Sequence, residues 1–502
     1  MPRRNLLVIF LAAFLSLACY HRAARNRYVA TLTDVMNVIN TQYVDPVDPR
    51  VLFEGAMEGM VSQLDPYSGY VNPEEYNRLR ENLDQVFGGV GIVVEVNPET
   101  KRLTVMTPLV GTPAHAAGVR SGDQILEIDG KDTEGMTLED SVQLMRGPEG
   151  STVRLKIIHI DAAQPIEVTL ERARIPIESV LGDLRRTDGS WIYHLESRPN
   201  IGYIRLTTFG KDTAEEVKQA LQSYREPGNH IEGLILDLRG NAGGLLDAAV
   251  ETCDLFINGG VIVSTRGRGG VERASFEATP GVEIGQEVPM VVLVDKFSAS
   301  ASEIVAGCLQ DHGRAVVAGE RSWGKGTVQN VLPLEGNQSA LRLTIASYWR
   351  PSGKDIHKRK DAKDSEDWGV RPDQGLEVNL TNEQFTQVFK ARRDRDMQTV
   401  DENGNVVGGR PKKLPEDAVP PAVTSPAATP PLAPPDDMPD VDDVDDVDAE
   451  SAPDQPSGAD QTKPAAAPPA ASEPSDVDLQ LQKAVDYLDA EISRQNDANR
   501  RA

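Results

Sequence analysis

The sequence predicts a mixed α/β protein made of several parts, and three observations lead to this fold class. Residues 27–84 repeat apolar side chains at helical spacing, whereas residues 85–172 hold short apolar runs separated by glycine-rich turns. Residues 173–398 alternate between strand-like and helix-like segments, which is typical of a layered α/β core. The predicted boundaries are 1–26 for a targeting segment, 27–84 for a helical N-terminal region, 85–172 for a small β-rich domain, 173–398 for the core, 399–475 for a disordered segment and 476–498 for a C-terminal helix.

The first 26 residues have the composition of an export signal. Arg3 and Arg4 precede an apolar stretch, residues 6–18, that is short for a membrane span. A small residue before Cys19 also fits a lipoprotein site, so a cleaved signal, a retained anchor and a lipoprotein are three open alternatives. All three predict an exported protein of the cell envelope or periplasm, and anchoring to the inner membrane through this segment is one of the outcomes.

The next two regions are expected to differ in secondary structure. Residues 27–84 are predicted to form helices with turns at 43–46 and 65–70. Residues 85–172 are predicted to form strands with short helices at 113–119 and 137–145. One strand opens with Gly89, Val90, Gly91 and Ile92, where the glycines leave backbone amides uncovered.

A serine cluster marks the junction between a strand and a helix in the core. Residues 291–294 have the length and β-branching of a buried strand, and an apolar run with helical spacing continues through Leu309. Ser298, Ser300 and Ser302 lie between them. A serine at such a junction is well placed as a nucleophile, because free N–H groups and the positive helix end face a developing oxyanion. Taken alone, these serines are better explained as helix caps.

A lysine between two glycines supplies a candidate general base. Lys325 lies between Gly324 and Gly326, and neither neighbour has a side chain that would keep the backbone out of a tight site. Ser300 and Lys325 together suggest a dyad in which the neutral amine accepts the hydroxyl proton. A free lysine titrates at about 10.4, and lowering that pKa to about 8 requires roughly 3.3 kcal/mol, which burial supplies. Gln329 is expected to orient the amine through its side-chain carbonyl.

A glycine-rich turn in the core is a candidate oxyanion site. Residues 234–238 are strand-like, and residues 240–246 hold the glycines and the start of a helix. Such a turn can present a bare N–H to a reacting carbonyl. An ordinary strand-to-helix connection has the same composition, so both explanations stand from these residues alone.

Other chemistries have little support in the sequence. The segment from Gly319 to Lys325 matches the GxxxxGK phosphate loop, but Gly326 stands where a magnesium-binding Ser or Thr belongs, so no nucleotide is expected. The seven histidines are scattered, and no HExxH or CxxC pair occurs, so neither a metal nor another cofactor is predicted. His312 fits a helix-terminating turn better than a catalytic triad.

The segments SASASEI and GERSWGKGTVQ closely resemble the carboxyl-terminal processing proteases, also called tail-specific proteases. The resemblance spans most of residues 30–375. It implies that Ser300 is the nucleophile, Lys325 the general base and Gln329 its support. A catalytically silent scaffold is the alternative, and the presence of all three residues argues against it.

The same resemblance implies an oxyanion site and a substrate-binding domain. In this family the glycine turn supplies one oxyanion donor, here Gly243 or Gly244, and the N–H of Ala301 supplies the other. Residues 85–172 resemble a PDZ domain whose carboxylate-binding loop is Gly89 to Ile92, with an apolar pocket formed by Ile92 and by Val142 or Met145. The resemblance therefore implies a serine endopeptidase for proteins or peptides with unstructured or apolar C-terminal tails.

The C-terminal part of the chain differs in composition from the rest. Residues 399–475 are rich in Pro, Ala and Asp, and nine acidic residues without a basic one fall within 431–450. Such a segment is predicted to be disordered. The net charge of −25 argues against a nucleic-acid partner. Residues 476–492 regain helical spacing and are expected to form a terminal helix, either docked or isolated, and the oligomeric state is left open.

Overall fold

The computed structural model describes residues 10–16, 27–97, 100–159, 162, 164–186, 188–396, 399–400, 406–407 and 478–501. The chain divides into two compact units. The first unit is Met1–Tyr76 with Gln329–Thr344, and the second is Asn77–Val328 with Ile345–Ala502. Helices and strands alternate through the second unit, which confirms the mixed α/β fold class.

The described elements are numbered here in chain order. The helices are α1 (10–16), α2 (Arg27–Gln42), α3 (Pro49–Val61), α4 (Pro73–Leu83), α5 (Pro113–Ala116), α6 (Leu138–Met145), α7 (Thr213–Ser223), α8 (Leu246–Asp254), α9 (Ala301–Asp311), α10 (Asn382–Asp396) and α11 (Leu479–Arg501). The strands are β1 (Gly69–Val71), β2 (Val86–Gly89), β3 (Ile92–Val96), β4 (Leu103–Pro108), β5 (Gln124–Ile128), β6 (Lys131–Asp132), β7 (Thr152–Ile158), β8 (Ile166–Glu171), β9 (Ala173–Pro176), β10 (Val180–Leu181), β11 (Leu184–Arg185), β12 (Trp191–Ile192), β13 (His194–Leu195), β14 (Arg198–Leu206), β15 (Gly233–Asp237), β16 (Gly260–Arg266), β17 (Glu272–Ala278), β18 (Met290–Val294), β19 (Val316–Gly319), β20 (Thr327–Leu334), β21 (Ser339–Trp349), β22 (Thr399–Val400) and β23 (Val406–Val407).

The first unit joins the N-terminal helices to a segment from much later in the chain. The Asp48 carboxylate caps α3 by accepting from the Arg50 N–H at 2.8 Å. β1 pairs antiparallel with the start of β21. Arg50 also donates to Glu335 at 2.6 Å. The expected turn at 65–70 forms around Asp65, although its last two residues begin β1.

The second unit begins with a small β domain whose sheet follows the order β3-β4-β5-β7-β8. Alternate side chains of these strands point inward, and Leu103, Ile125 and Leu155 are fully buried. α6 packs against this core through Met145. β3 lies at one end of the strand order, so the sheet pairs its outer edge with no other strand of the described chain.

The layered core is built on a second sheet with the order β10-β14-β15-β18-β19. The last four strands are parallel. Because side chains alternate along a strand, Leu234 and Leu236 face the layer of α7, α8 and α9, whereas Ile235 faces α11. The carboxyl ends of parallel strands commonly carry the functional site, and here β15 and β18 end at the two loops that the sequence singled out.

The two ends of the chain are described only in part. Residues 10–16 are helical, while Cys19 and the rest of the predicted export signal lie outside the described residues. Among the helices that the structure describes, none combines the length and apolar composition needed to cross a bilayer. Most of the predicted disordered segment also lies outside the described residues, apart from the short antiparallel pair β22–β23. The terminal helix is docked on the core sheet rather than isolated.

Candidate active site

Ser300 occupies a sharp turn between β18 and α9. Its backbone has φ +56° and ψ −114°, which non-glycine residues rarely adopt. The residue is 8% exposed. Strained backbone of this kind persists only when its surroundings fix it, and it is frequent at functional sites. The predicted strand-to-helix junction is therefore present, with Ser300 at its turning point.

Glu303 holds the Ser300 turn and the Lys325 segment together. This carboxylate is fully buried in α9, and its Oε2 accepts from the N–H of Ser300 at 2.8 Å and from the N–H of Lys325 at 2.9 Å. Its Oε1 accepts from the Ser322 hydroxyl at 2.6 Å and the Gly324 N–H at 2.7 Å. Both backbone nitrogens thus lie within 2.9 Å of one oxygen, although the two residues are far apart in sequence.

The electrostatics of Glu303 follow from its position. Burial raises its pKa to about 7, and the four donated hydrogen bonds oppose that rise because they stabilise the carboxylate. An ionised carboxylate only accepts hydrogen bonds, which matches four donors.

The glycines beside Lys325 are required by close packing. A Cβ on Gly326 would lie 2.2 Å from the backbone nitrogen of His357. Gly324 has φ +89°, and a Cβ there would lie 2.7 Å from the Lys358 Cβ and 3.0 Å from the Trp368 ring. Only glycine fits these positions, so the pattern that flagged Lys325 in the sequence has a direct steric cause.

The glycine turn after β15 packs directly on the nucleophile loop. A Cβ on Gly243 would lie 2.8 Å from the Ala299 carbonyl oxygen and 2.9 Å from the Ser300 Cβ. The Gly243 N–H donates to the Asn241 Oδ1 at 2.9 Å. Within the described chain, the N–H groups of Gly244 and Ala301 have no hydrogen-bond acceptor. The choice between Gly243 and Gly244 as oxyanion donor stays a prediction, and this conformation leaves Gly244 the freer of the two.

Asp295 ties the glycine turn to the serine loop. Its buried carboxylate accepts from the N–H groups of Phe297 and Ser298, each at 3.0 Å, and from the Gly240 N–H at 3.0 Å. Burial raises the pKa of Asp295 above its usual range, and these hydrogen bonds oppose the rise. The two loops that meet at Ser300 therefore share one buried acceptor.

Arg239 directly precedes the glycine turn, and two carboxylates bind its guanidinium. Its guanidinium donates to both oxygens of Asp237, the last residue of β15, at 2.7 to 3.2 Å, and to Asp478 at 2.8 Å. Tyr203 donates its hydroxyl to Asp237 at 2.7 Å. Although burial opposes ionisation, the Arg239 charge and these hydrogen bonds hold the pKa of Asp237 below its usual value.

Gln329 belongs to the first unit, where a chain of hydrogen bonds fixes its amide. Its Nε2 donates to the Thr344 hydroxyl at 3.3 Å, and that hydroxyl donates to Asp65 at 3.0 Å. A hydroxyl has one proton, and the carboxylate can only accept, so the Gln329 amide nitrogen must face Thr344. Its carbonyl oxygen then points away from Thr344, and its support of Lys325 stays a prediction.

The predicted carboxylate-binding loop is closely packed. Gly91 has φ +75°, and a Cβ there would lie 2.3 Å from the Thr112 Cβ. The carbonyl oxygens of Val90 and Gly91 accept from Ala114 and Leu109, respectively. Their N–H groups have no acceptor within the described chain. Of the predicted pocket residues, Ile92 and Val142 are half-buried and Met145 is buried.

The residues considered for the alternative chemistries lie in elements that do not suit those chemistries. His312 caps the far end of α9, about 16 Å of helix away. The Gly319 to Lys325 segment leads into the strand β20 rather than the helix that a phosphate loop needs. Cys253 and Cys308 are both buried free thiols.

Sequence reasoning missed four residues that shape the site: Glu303, Asp295, Arg239 and Asp478. Glu303 had a local signal, because it stands three residues after Ser300 in the pattern of a capping box. Asp295 and Arg239 also have partners close in sequence, Ser298 and Asp237. Their contacts with Gly240 and Asp478 join different elements of the fold and have no local signal.

A strained serine at the start of a helix, packed under a glycine turn, is the arrangement expected of hydrolases that act through an acyl intermediate. Comparison with known proteins agrees with this class. Residues 200–375 match peptidase family S41, residues 83–158 match the PDZ domain, and residues 20–75 match the N-terminal domain of the activating protease CtpB.

Three relatives show how far the similarity extends. A carboxy-terminal-processing protease of Bartonella bacilliformis is 41% identical over 332 residues, which cover 66% of this chain and 73% of that protein. A carboxyl-terminal-processing protease of Synechocystis is 38% identical, over 65% of this chain and 71% of that protein. The carboxy-terminal processing protease CtpB of Bacillus subtilis is 34% identical, over 67% of this chain and 67% of that protein. The chain therefore belongs to the S41 family of carboxyl-terminal processing proteases and is a serine protease with a PDZ domain.

Proposed function

We propose that Ser300 and Lys325 form the catalytic dyad of this protease. The observation that supports the proposal is the shared Glu303 oxygen, which accepts from the backbone N–H of both residues. The neutral Lys325 amine takes the Ser300 proton as the Oγ attacks the scissile carbonyl, and it returns a proton to the leaving amine when the C–N bond breaks. Water then hydrolyses the acyl-enzyme by the same route.

Backbone donors stabilise the oxyanion in this proposal. The N–H of Ala301 at the start of α9 is one donor, and an N–H of Gly243 or Gly244 is the other. The Gln329 carbonyl accepts from the Lys325 amine and keeps it directed at the hydroxyl. Neither a metal nor another cofactor takes part in these steps.

The PDZ domain is the proposed recognition element for apolar C-terminal tails. β3 has a free outer edge, to which an extended peptide can add as a further strand. The uncovered N–H groups of Val90 and Gly91 suit a terminal carboxylate, and Ile92 with Val142 suits an apolar last side chain.

The proposed location is the cell envelope. It rests on the composition of residues 1–26, which combine an arginine pair with a short apolar stretch. Fractionation of cells that express the full chain, compared with a variant lacking Arg3 and Arg4, tests it. Equal amounts of both proteins in the cytoplasm would contradict export.

The catalytic proposal is tested by cleavage of an unstructured protein that ends in an apolar tail. Ser300→Ala and Lys325→Ala are expected to lower kcat by at least roughly 10⁴-fold, because loss of a nucleophile or its base removes most of the rate enhancement. Lys354→Ala serves as the control, since Lys354 is about half exposed and forms an ion pair with the exposed Asp367. Cleavage by Ser300→Ala at the wild-type rate would refute the dyad.

The recognition proposal uses the same substrate with its tail changed to end in two aspartates. We expect a higher KM and an unchanged kcat, because the pocket is apolar and the tail does not reach the reacting atoms. Equal KM values for the two tails would rule out recognition by this groove.

A further inference from the structure

The C-terminal helix α11 forms part of the core although it follows a long stretch of polar and Pro-rich sequence. Ala484 and Leu488 are fully buried against the face of the sheet that carries Ile235 and Leu293. Gly233 of β15 leaves room for this contact, because a Cβ there would lie 3.3 Å from the Leu488 methyl groups. The apolar contact fixes where the first residues of α11 lie.

Those first residues reach the arginine below the glycine turn. Asp478 precedes α11 and caps it by accepting from the Leu481 N–H at 3.0 Å. The same Asp478 oxygen accepts from the Arg239 guanidinium at 2.8 Å. The Gln480 Oε1 also accepts from the Arg239 guanidinium, at 3.2 Å. Gln480 is 1% exposed and is itself held by donating to the Val378 carbonyl at 2.9 Å.

Arg239 connects this contact to the turn. Asp237 occupies one side of the guanidinium fork, and α11 occupies the other. Arg239 directly precedes Gly240, whose N–H is bound by Asp295, and three residues later Gly243 packs on Ser300 with no space for a methyl group. Because these positions are fixed and closely packed, we expect a shift of the Arg239 backbone to displace the proposed oxyanion donors as well.

We propose that Asp478 and Gln480 are positioning residues for catalysis, which hold the glycine turn in register with Ser300 through the ion pair of Asp478 with Arg239 and the hydrogen bond of Gln480 to it. The proposal rests on the proposed function, because it concerns the turn as an oxyanion site. Arg239 and Asp478 are 239 residues apart, so the last helix of the chain completes the support of the active site. Full activity then requires that the C-terminal end of the chain has folded onto the sheet.

Asp478→Asn in the full-length protein tests the proposal. Asn caps a helix as well as Asp does, so the variant removes the charge that Arg239 needs and keeps α11 intact. We expect kcat to fall roughly 3- to 30-fold, the range typical of residues that couple to a site through others, with KM within about twofold of wild type. Labelling by a fluorophosphonate, which reacts at the nucleophile without a peptide, should slow by the same factor.

The matched control is Asp489→Asn on the same helix. Asp489 pairs with Arg198 at 3.3 Å, and both side chains are exposed, so its loss leaves Arg239 untouched. We expect wild-type kcat and labelling rate. In the Arg239→Ala background, Asp478→Asn should cause no further loss, because the two residues act through one contact.

Three outcomes would overturn the proposal: wild-type kcat in Asp478→Asn, equal losses in Asp478→Asn and Asp489→Asn, or a loss in Asp478→Asn that persists at full size in the Arg239→Ala background. Failure of the proposed dyad gives a different result. In that case Ser300→Ala retains cleavage, whatever Asp478→Asn does.

Discussion

Two glycine-rich turns in this protease present backbone N–H groups, and they are held in different ways. The turn at 240–244 packs on Ser300 and is next to two buried charges. Asp295 accepts from its Gly240 N–H, and Arg239 directly precedes it in the chain. The loop at 89–92 of the PDZ domain packs on Thr112 and is held by backbone hydrogen bonds and one hydroxyl. Glycine content alone therefore does not indicate what a turn does. The two turns differ in the groups that hold them, which are charged at 240–244 and neutral at 89–92.

The difference has a chemical reason. A catalytic turn must keep its donors fixed while negative charge develops, and buried ion pairs with several hydrogen bonds provide such rigidity. A binding loop must admit many tails, so a neutral surround that leaves two N–H groups open is sufficient. The first turn is thus expected to be sensitive to charge and pH, and the second to steric change.

The largest expected effect follows from adding one methyl group to the turn at 240–244. Gly243 has φ +106°, and its Cβ would come within 3.0 Å of Ala299, Ser300 and Ala301. Gly243→Ala is expected to lower kcat by about 10² to 10³-fold, comparable to the loss of an oxyanion donor. The steady-state kcat decides this, with circular dichroism to verify folding. A folded variant with wild-type kcat would show that the turn is not part of the oxyanion site.

The second prediction concerns the charge behind the same site. The pKa of Glu303 is about 7 in the folded protein against 4.5 for a free glutamate, so the proton is bound more tightly when folded. The stabilisation by Glu303 is fully present below pH 4.5 and is lost as the pH rises through about 7. It corresponds to about 3 kcal/mol. In Glu303→Gln this pH dependence should disappear.

Urea unfolding of both proteins from pH 4 to pH 8.5 measures that difference. We expect the unfolding free energy of wild type to decline relative to Glu303→Gln over this range. Parallel curves would contradict the assignment. Affinity of the PDZ domain for a tail peptide should stay constant between pH 6 and 8.5, because the contacts that hold its loop within the described residues are backbone hydrogen bonds and the Thr112 hydroxyl.

The smallest expected effect is on the loop at 89–92. Gly91→Ala places a Cβ 2.3 Å from Thr112, whereas Gly118 has a similar φ of +79° and open space around it. We expect Gly91→Ala to weaken tail-peptide binding at least about tenfold and Gly118→Ala to leave it unchanged, since strain alone is common to both. Calorimetry with a tail peptide measures the affinity. Similar losses in both variants would show that backbone strain, not contact with Thr112, limits the loop.

Local patterns in the sequence predicted most elements of the second unit. The alternation of β-branched strands with apolar helices gave the layered core, since each element must bury one face. The serine cluster and the lysine between glycines led to Ser300 and Lys325, because tight backbone geometry restricts which residues fit. Boundaries moved by a few residues, as at the turn predicted for 65–70, whose last two residues begin β1.

The sequence alone determined the fold class, the family and the residues whose local geometry is unusual, because those depend on spacing along the chain. Only the tertiary structure decided that residues 329–344 belong with the N-terminal unit, that Glu303 joins the Ser300 and Lys325 segments, and that α11 reaches Arg239. The physical reason is that these contacts join residues up to 285 positions apart, as Arg50 and Glu335 are. Buried charges and hydrogen-bond donors find their partners only after the sheet brings distant segments together, and no local pattern records which segment that will be.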